Sequence, residues 1–428
     1  MISILRRIIG NRSLIRIAWH KWRSFCAAAL YGFPARDICI IGISGTDGKT
    51  TTVGMIMHIL RYSNIDVGSA STAFLQINDT IEENETHLTS VSPFALQKFL
   101  RKLVRIHCTH AVIEMSSHGL VQGRVDYTWP SVAGITNTNT EHLDYHGSLD
   151  QYRKDKGKMF EMLRGKGIKV LNGDDDSFPL YKVIPTEGTI VYGPEHSNLW
   201  ITDIQATNNT CRAQLHIENT IQDLHLSLPG TFNLYNAMCA IGCSVSVGVP
   251  LLDCLEALKS FKALPGRMEE IDEGQDFSVF VDFAVSPQAY ENTLKALRHM
   301  VGDTHRVLVL CSSCGNRMKE KRPEIGRICS LLADVTVATE DETYGEDPHS
   351  VLDEVWEGID QGSTDAHKIF DRKEAIRYLF ASAKPGDAVV LCGMGPFSTF
   401  TKLEGRIPWD EREIARELLQ ELRKTPRT

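Results

Sequence analysis

Several features are missing from the chain, and each absence removes a class of protein. None of its 428 residues belongs to an uninterrupted apolar run long enough to span a bilayer, which takes about 20 such residues. Positive charge is not in excess. There are 46 Lys and Arg against 54 Asp and Glu, a formal net charge of −8, so there is no electrostatic footprint for nucleic acid. Eleven cysteines are scattered, and only Cys311 and Cys314 form a Cys-x-x-Cys pair. One pair without a second argues against a zinc ribbon and reads as small residues that pack. Scattered free thiols point to a reducing, cytoplasmic compartment. Acids are missing ahead of Asp37, where Arg6, Arg7, Arg12, Arg16, Lys21, Arg23 and Arg36 interleave with Ile2, Ile4, Leu5, Ile8, Ile9, Leu14, Ile15, Ile17, Trp19, Trp22 and Phe25. The interruptions disfavour a secretory signal, whose apolar core is continuous. Two readings stay open for residues 1–37: a leader helix docked on the main domain, or a basic amphipathic helix on an anionic membrane surface.

The remainder has ordinary globular composition, 42% hydrophobic and 23% charged, and its length allows about three domains. One stretch organises it. Ile38 to Ile43 is a short apolar run, glycines follow at 42, 45 and 48, Lys49 and Thr50 come next, and Val53 to Leu60 has helical character. Strand, glycine loop and helix are the setting of a phosphate-binding loop, in which backbone N–H groups and the helix's positive end meet phosphate oxygens. Ile43 stands where the strict pattern has its first glycine, so the loop reads Gly-x-x-Gly-x-x-Gly-Lys-Thr. Gly45, Thr46, Asp47, Gly48, Lys49, Thr50 and Thr51 are the candidate ATP contacts. Lys49 is suited to the β/γ-phosphates, and the Thr50 hydroxyl to Mg²⁺.

Ala111 to Ile113 reads as a central strand with Glu114 at its carboxyl end. Open α/β sheets bind ligands at that end, and an acid facing a loop Thr is a natural Mg²⁺ partner. Further strands are expected at Ser131–Asn137 and from Lys169. Helices are expected after Leu88 and over the segment bearing Lys154, Lys156 and Lys158. Taken alone, that lysine face reads as solvated surface, and His142 and His146 are weak metal candidates. Residues 199–229 alternate polar and apolar and read as antiparallel strands, followed by a small-residue helix from Ala237 to Val247. Leu264-Pro-Gly-Arg-Met-Glu269 breaks the chain like a linker. Strand–helix alternation then restarts, with strands at Ser278–Phe283, Arg306–Cys311, Asp334–Ala338 and Ala388–Cys392. The expected class is α/β: a basic helical segment (1–37), a central P-loop ATPase-like domain with a mostly parallel sheet (38–264), and a doubly wound Rossmann-like C-terminal domain (265–428).

The order and spacing of these pieces resemble the Mur ligases, ATP-dependent amino-acid ligases of cell-wall peptide synthesis, and most of all their MurE type. The motifs that carry the resemblance are Gly42 to Thr52, Leu88-Thr-Ser90, Glu114 to Arg124, Glu141 to Gly147, Lys156 with Met159-Phe160, Leu228 to Asn236, Leu264 to Glu269, Val281 to Ala284, Lys321-Arg-Pro323, Asp371 to Ile376 and Pro408 to Ile414. The resemblance implies that Lys156 is carbamylated and holds a second Mg²⁺ together with His142, while Thr50 and Glu114 hold the first. It implies an acceptor grip by Thr89, Ser90, Ser116, Gln122 and Arg124, and ATP contacts from Asn233, Asn236, Arg267 and Asp282. Arg317, Asp341, Glu342, Tyr344 and Gly393 would face the incoming amino acid. Lys49, Glu114, His142 and Lys156 would be the catalytic set. The implied reaction joins a free amino acid to a muramoyl-peptide acceptor through an acyl phosphate, in a cytoplasmic monomer.

Departures from the family pattern concentrate in the third domain. Val285 replaces a histidine, Asp341-Glu-Thr-Tyr344 replaces Asp-Asn-Pro-Arg, Gly393-Met-Gly-Pro-Phe397 replaces Gly-Lys-Gly-His-Glu, and Gly315-Asn-Arg-Met318 replaces Gly-Asp-Arg-Asp. Only 37 residues precede Ile38, fewer than a uridine-binding domain needs, which leaves a lipid-linked acceptor as an expectation beside a UDP-linked one. Two other readings stand: the same chemistry on a folate-type, poly-glutamate or archaeal wall-peptide acceptor, and a nucleotide-binding partner subunit without turnover.

Overall fold

The computed structural model describes residues 12–207, 210–217, 220–403 and 405–424. The chain divides into two compact units. The first comprises Met1–Ile204, Arg212–His225 and Leu234–Phe261, and the second comprises Gln205–Cys211, Leu226–Asn233 and Lys262–Thr428.

The first unit carries an eleven-stranded sheet: β1 (Cys39–Ser44), β2 (Val67–Ala70), β3 (Phe74–Ile77), β4 (Thr80–Glu83), β5 (His110–Glu114), β6 (Val132–Ile135), β7 (Ile168–Asn172), β8 (Gly188–Gly193), β9 (Leu199–Ala206), β10 (Cys211–Ile217) and β11 (Thr220–Leu226). Their spatial order is β11-β10-β9-β8-β7-β6-β1-β5-β2-β3-β4. β1 lies between β5 and β6, parallel to both, with Ile43 beside Glu114 and Ser44 beside Ile135. A strand so enclosed faces protein on both sides, which accounts for its continuous apolar run. Ile40, Ile41 and Ile43 are fully buried, as are Ala111 and Val112 on β5. Burying such aliphatic side chains stabilises by about 1.5–3 kcal/mol each. β3 and β4 extend the edge beyond β2 as an antiparallel hairpin.

The helix Lys49–Tyr62 starts four residues before the expected Val53, directly at Gly48, whose φ of 78° is left-handed. Ser92 caps the helix Pro93–Arg105. The small-residue helix spans Phe232–Val245, so it begins five residues ahead of the expected Ala237. The N-terminal segment forms the helix Leu14–Leu30, with Ser24, Ala27 and Ala28 buried against the first unit. Arg6 and Arg7 lie outside the described residues. Among the described residues, no helix is long and apolar enough to cross a membrane.

The second unit has a six-stranded sheet ordered β12-β13-β17-β14-β15-β16. These strands are β12 (Glu269–Glu270), β13 (Ser278–Asp282), β14 (Val307–Cys311), β15 (Val335–Ala338), β16 (Asp365–Lys368) and β17 (Ala388–Cys392). All neighbours are parallel except β12 with β13. Alternate residues serve opposite faces. Ala388, Val390 and Cys392 enter one buried cluster with Val307, Val309 and Cys311, whereas Val389 and Leu391 enter another with Leu308 and Leu310. Helices therefore cover both faces, the doubly wound arrangement. A short hairpin, β18 (Thr399–Lys402) with β19 (Gly405–Pro408), precedes the helix Glu411–Lys424.

Candidate active site

In the first unit the site forms at the carboxyl ends of β1, β5 and β6. The loop leaving β1 is held from below by β6: Thr46 N–H donates to Asn137 O at 2.9 Å, and Asp47 N–H donates to Asn137 Oδ1 at 3.0 Å. Thr136 Oγ1 donates to Asp47 O at 2.6 Å. The glycines are steric requirements here. A Cβ on Gly45 would lie 1.8 Å from Thr136 Oγ1, and one on Gly48 would lie 2.2 Å from Asn236 Oδ1. Thr51 is half-buried, in the first turn of the helix that follows. Lys49 Nζ folds back onto Thr46 O at 2.7 Å.

Thr50 Oγ1 donates to Glu114 Oε2 at 3.0 Å, so the two candidate ligands of the first Mg²⁺ meet. Both are buried. Thr72 completes the carboxylate's surroundings, its N–H 2.8 Å from Oε2 and its hydroxyl 2.9 Å from Oε1. Thr72 also links Glu114 to the acceptor candidates: with its own proton on Glu114, its Oγ1 accepts from the Thr89 hydroxyl at 3.0 Å. A buried carboxylate with two hydroxyl neighbours is a hard, all-oxygen donor set, which suits Mg²⁺.

The solvated-surface reading of the lysine helix fails at Lys156. Lys154 is exposed, but Lys156 is buried, because Tyr152, Asp155, Lys156, Met159 and Phe160 form the inward stripe of the helix Leu149–Glu161. Lys156 Nζ donates to Gly45 O at 2.5 Å and stands 4.6 Å from the Tyr152 ring centroid. Burial, reinforced by the charge of Lys49, pushes its pKa well below the ordinary lysine value. The amine is thereby biased toward its neutral form. His142 also neighbours Tyr152, the ring centroids 6.4 Å apart, and crosses His118 at 4.7 Å. Tyr152 also shares a 2.9 Å hydrogen bond with Thr46 Oγ1, which ties this helix to the phosphate-loop candidate.

The acceptor candidates form one connected patch. Ser116 N–H donates to Ser90 Oγ at 2.9 Å, and Arg124 Nη1 donates to Ser90 O at 3.0 Å. Gln122 Oε1 accepts from Arg124 Nε at 3.0 Å. Beneath them His146 Nε2 lies 3.0 Å from Ser117 Oγ, and Nδ1 lies 2.7 Å from Asp155 Oδ2. All three residues are buried, so this chain braces the acceptor patch rather than presenting a nucleophile. Burial alone would raise the Asp155 pKa. Hydrogen bonds from His146, Arg12 and Lys158 outweigh that and hold it below the usual carboxylate range.

In the second unit Asp282, Asp341, Glu342, Tyr344 and Gly393 lie at or just beyond the carboxyl ends of β13, β15 and β17, Arg317 lies in the segment after β14, Arg267 precedes β12, and Asn233 is on the helix Phe232–Val245. Arg267 covers the Phe283 ring at 4.6 Å, and Asp282 accepts from Met268 N–H at 3.0 Å and Thr293 Oγ1 at 2.9 Å. Burial raises the Asp282 pKa, and Arg267 opposes the rise. Asp341 accepts from Ser312 Oγ at 2.6 Å, and a Cβ on Gly393 would meet both. Tyr344 OH donates to Glu342, whose Oε1 also accepts from Thr401 N–H at 2.8 Å. Arg317 lies over the Tyr344 ring at 5.4 Å. Asn233 donates its side-chain amide to Pro229 O at 2.8 Å. Sequence reasoning passed over Thr72, Thr136, Asn137, Tyr152 and Ser312, which lack a distinctive motif of their own. It quoted Arg372 and Glu411 within motifs without seeing that they meet, with Arg372 Nη2 2.6 Å from Glu411 Oε1.

The Mur ligase middle domain matches residues 43–244, and the Mur ligase glutamate ligase domain matches residues 266–395. The chain belongs to the Mur ligase family. The family's enzymes are ATP-dependent, ADP-forming ligases that use Mg²⁺. One relative is the UDP-N-acetylmuramoyl-L-alanyl-D-glutamate–2,6-diaminopimelate ligase of Geobacillus thermodenitrificans, 34% identical over 404 residues, covering 93% of this chain and 82% of the relative. A second is the UDP-N-acetylmuramyl-tripeptide synthetase of a Roseiflexus species, 33% identical over 416 residues, covering 92% and 81%. A solved structure of a diaminopimelate ligase of the same name as the first relative superposes with a TM-score of 0.63 at 25% identity, covering 96% of this Mur ligase chain and 84% of the other.

Proposed function

We propose that this Mur ligase joins a free amino acid to the carboxylate of a muramoyl-peptide acceptor at the expense of ATP, as a cytoplasmic monomer. The observation that carries the reading is the convergence of Lys49, Thr50, Glu114 and Lys156 around one loop, next to the Ser90–Ser116–Arg124 patch. In the proposed reaction an acceptor carboxylate oxygen attacks the γ-phosphorus, and the bond from that phosphorus to the ADP oxygen breaks. Lys49 and the loop amides face the charge that moves. The amino acid's amine then attacks the acyl carbon, the phosphate leaves with its C–O bond pair, and the nitrogen gives up a proton. Arg124, braced by Gln122, is suited to hold the acceptor. Arg317, Asp341, Glu342, Tyr344 and Gly393 are the proposed amino-acid side, and Asn233, Asn236, Arg267 and Asp282 the proposed nucleotide side.

Mg²⁺, when bound, supplies positive charge at the phosphates; Thr50 and Glu114 would hold one ion. An amine is not a ligand for Mg²⁺, so a second ion requires an oxygen donor at Lys156. The depressed pKa supports carbamylation: the neutral amine adds to CO₂, an N–C bond forms, one proton is released, and the product is an anionic carbamate. His142 would share that ion. The exposed apolar side of the first helix supports peripheral membrane contact.

The test is ATP-dependent phosphate release by the full chain, with UDP-linked and lipid-linked muramoyl-dipeptides and a panel of amino acids. Release above background with at least one pair is expected, and none with any pair would move the weight to a partner subunit without turnover. Lys156→Ala should abolish release, with partial recovery in a short carboxylate. Full activity of that variant rejects the carbamate.

A further inference from the structure

The helix Leu14–Leu30 is amphipathic in an unusual sense, because the face turned away from the protein is the apolar one. Its inward face is small, with Ser24, Ala27 and Ala28 buried. Ser24 Oγ donates to Gly123 O at 2.6 Å. Arg101 fixes the helix's end, donating to Tyr31 O at 2.7 Å and to Gly32 O at 2.9 Å. At 100° per residue the opposite face collects Ile15, Ala18, Trp19, Trp22, Phe25, Cys26, Ala29 and Leu30. Leu14, Ile15, Trp19, Trp22, Phe25 and Leu30 are each between 48% and 85% exposed. Helices that pack on a domain normally show the reverse pattern.

Two further features specify what covers this face. Its borders are cationic: the same helical spacing puts Arg16 and Arg23 along one side of the stripe and Lys21 along the other, and the helix contains no acid. Beyond its end the stripe continues into an aromatic group. Phe25, Phe33 and Tyr127 lie within 6.2 Å of one another by ring centroid, and Trp129 stacks on Phe33 at 6.0 Å. Arg36 covers Phe33 at 4.7 Å, and Arg164 covers Trp129 at 5.2 Å. Amphipathic aromatics rimmed by guanidinium groups suit the depth of lipid headgroups. The chain as a whole is acidic, at −8, so this local cationic rim selects an anionic surface over a neutral one.

We infer that this face seats the protein on an anionic lipid bilayer, with Trp19, Trp22 and Phe25 inserted at headgroup depth and Arg16, Lys21, Arg23, Arg36 and Arg164 against lipid phosphates. Because the helix is bonded to Gly123, within the acceptor motif, seating it brings Ser116–Arg124 alongside the membrane. This inference rests on the proposed peripheral membrane contact and deepens it by naming the lipid class and the seating residues, and it stands or falls separately from the ligase chemistry.

The test uses the full chain in co-sedimentation with two vesicle preparations, phosphatidylcholine alone and phosphatidylcholine mixed with phosphatidylglycerol, read also by tryptophan emission. Binding to the anionic vesicles should be stronger by at least about tenfold, with a blue shift and with loss at high salt. Trp19→Glu with Trp22→Glu should abolish binding and the shift while leaving far-UV circular dichroism unchanged, since both side chains face outward. Arg16→Gln with Arg23→Gln should weaken binding by about fivefold per charge. Equal binding to both preparations overturns the inference, as does binding to neither. A wild-type dimer in sedimentation that the double tryptophan variant converts to monomer also overturns it, in favour of a second copy on this face.

Discussion

The strongest local prediction concerns the ion pair between Arg372 and Glu411, both of whose side chains have no solvent exposure. Arg372 Nε and Nη2 reach the two Glu411 oxygens at 2.9 and 2.6 Å. Its remaining hydrogens go to Cys392 O at 2.6 Å, Glu340 O at 3.1 Å and Ser312 Oγ at 3.2 Å. Arg372→Met would leave Glu411 buried with the Trp409 indole N–H, at 2.9 Å, as its main remaining donor. Breaking a buried pair from one side costs about 3–5 kcal/mol. Glu411→Leu breaks it from the other side at a similar cost. If the two losses were independent, the double variant would lie near twice either one. Because each single variant's cost is an orphaned charge, the double variant should instead be no less stable than Arg372→Met, and more stable by about 2 kcal/mol if Met and Leu pack. Urea unfolding followed by tryptophan emission reads this directly, since Trp409 contacts the pair. A single-variant loss below about 1 kcal/mol, or an additive double variant, refutes the reasoning.

Two further expectations follow from the first unit. Glu114→Gln keeps the shape of the side chain but removes the charge between Thr50 and Thr72. The Mg²⁺ concentration needed for half-maximal phosphate release should rise by about tenfold or more, and an unchanged requirement would remove Glu114 from the metal site. The Asp155 carboxylate has a folded pKa below its unfolded value, so it contributes stability in full above the unfolded value, about 3.9, and loses it as pH falls below that toward the folded value. Asp155→Asn should therefore lower Tm at neutral pH and flatten the acid limb of the Tm–pH profile; parallel limbs for the two proteins would contradict the assignment.

What the sequence reveals depends on whether a residue's neighbours are local. β1, its loop and the following helix were legible because the apolar run, the glycines and Lys49-Thr50 are consecutive, and β5 with Glu114 was legible for the same reason. β16 was not, because Asp-Ala-His-Lys at a sheet edge carries no apolar run. The hairpin β3–β4 was missed although Asn78-Asp79 between two strand-like segments is a turn signal, with Asn78 at a φ of 48°. The meeting of Arg372 and Glu411 depends on the packing of two helices, Arg372–Ser382 and Glu411–Lys424, and no local pattern announces it. The altered amino-acid side is legible as a list of replacements. What each does is not, because Glu342, Tyr344 and Thr401 come together only through the fold.

Lys156 shows how such a reading goes wrong and what repairs it. Lys154, Lys156 and Lys158 look alike when read as composition. Read as positions, Tyr152, Met159 and Phe160 define the helix's inward stripe, and Asp155 and Lys156 fall on it at i+3 and i+4. Two charges on a buried stripe must each find a partner or a reason to be there. Asp155 finds His146 and Arg12. Lys156 instead meets a carbonyl oxygen, an aromatic face and the repulsion of Lys49. As an ammonium it is opposed by burial and by Lys49, with Asp47, Asp175 and Glu114 partly offsetting both. As a carbamate its sign would reverse: the Lys49 charge would become favourable, and Asp47, Asp175 and Glu114 would become unfavourable unless a cation lay among them. The burial that depresses the amine's pKa favours the neutral amine, the form that would attack CO₂, whereas a carbamate there would itself be a buried anion and would need Lys49 or a bound cation to offset its desolvation.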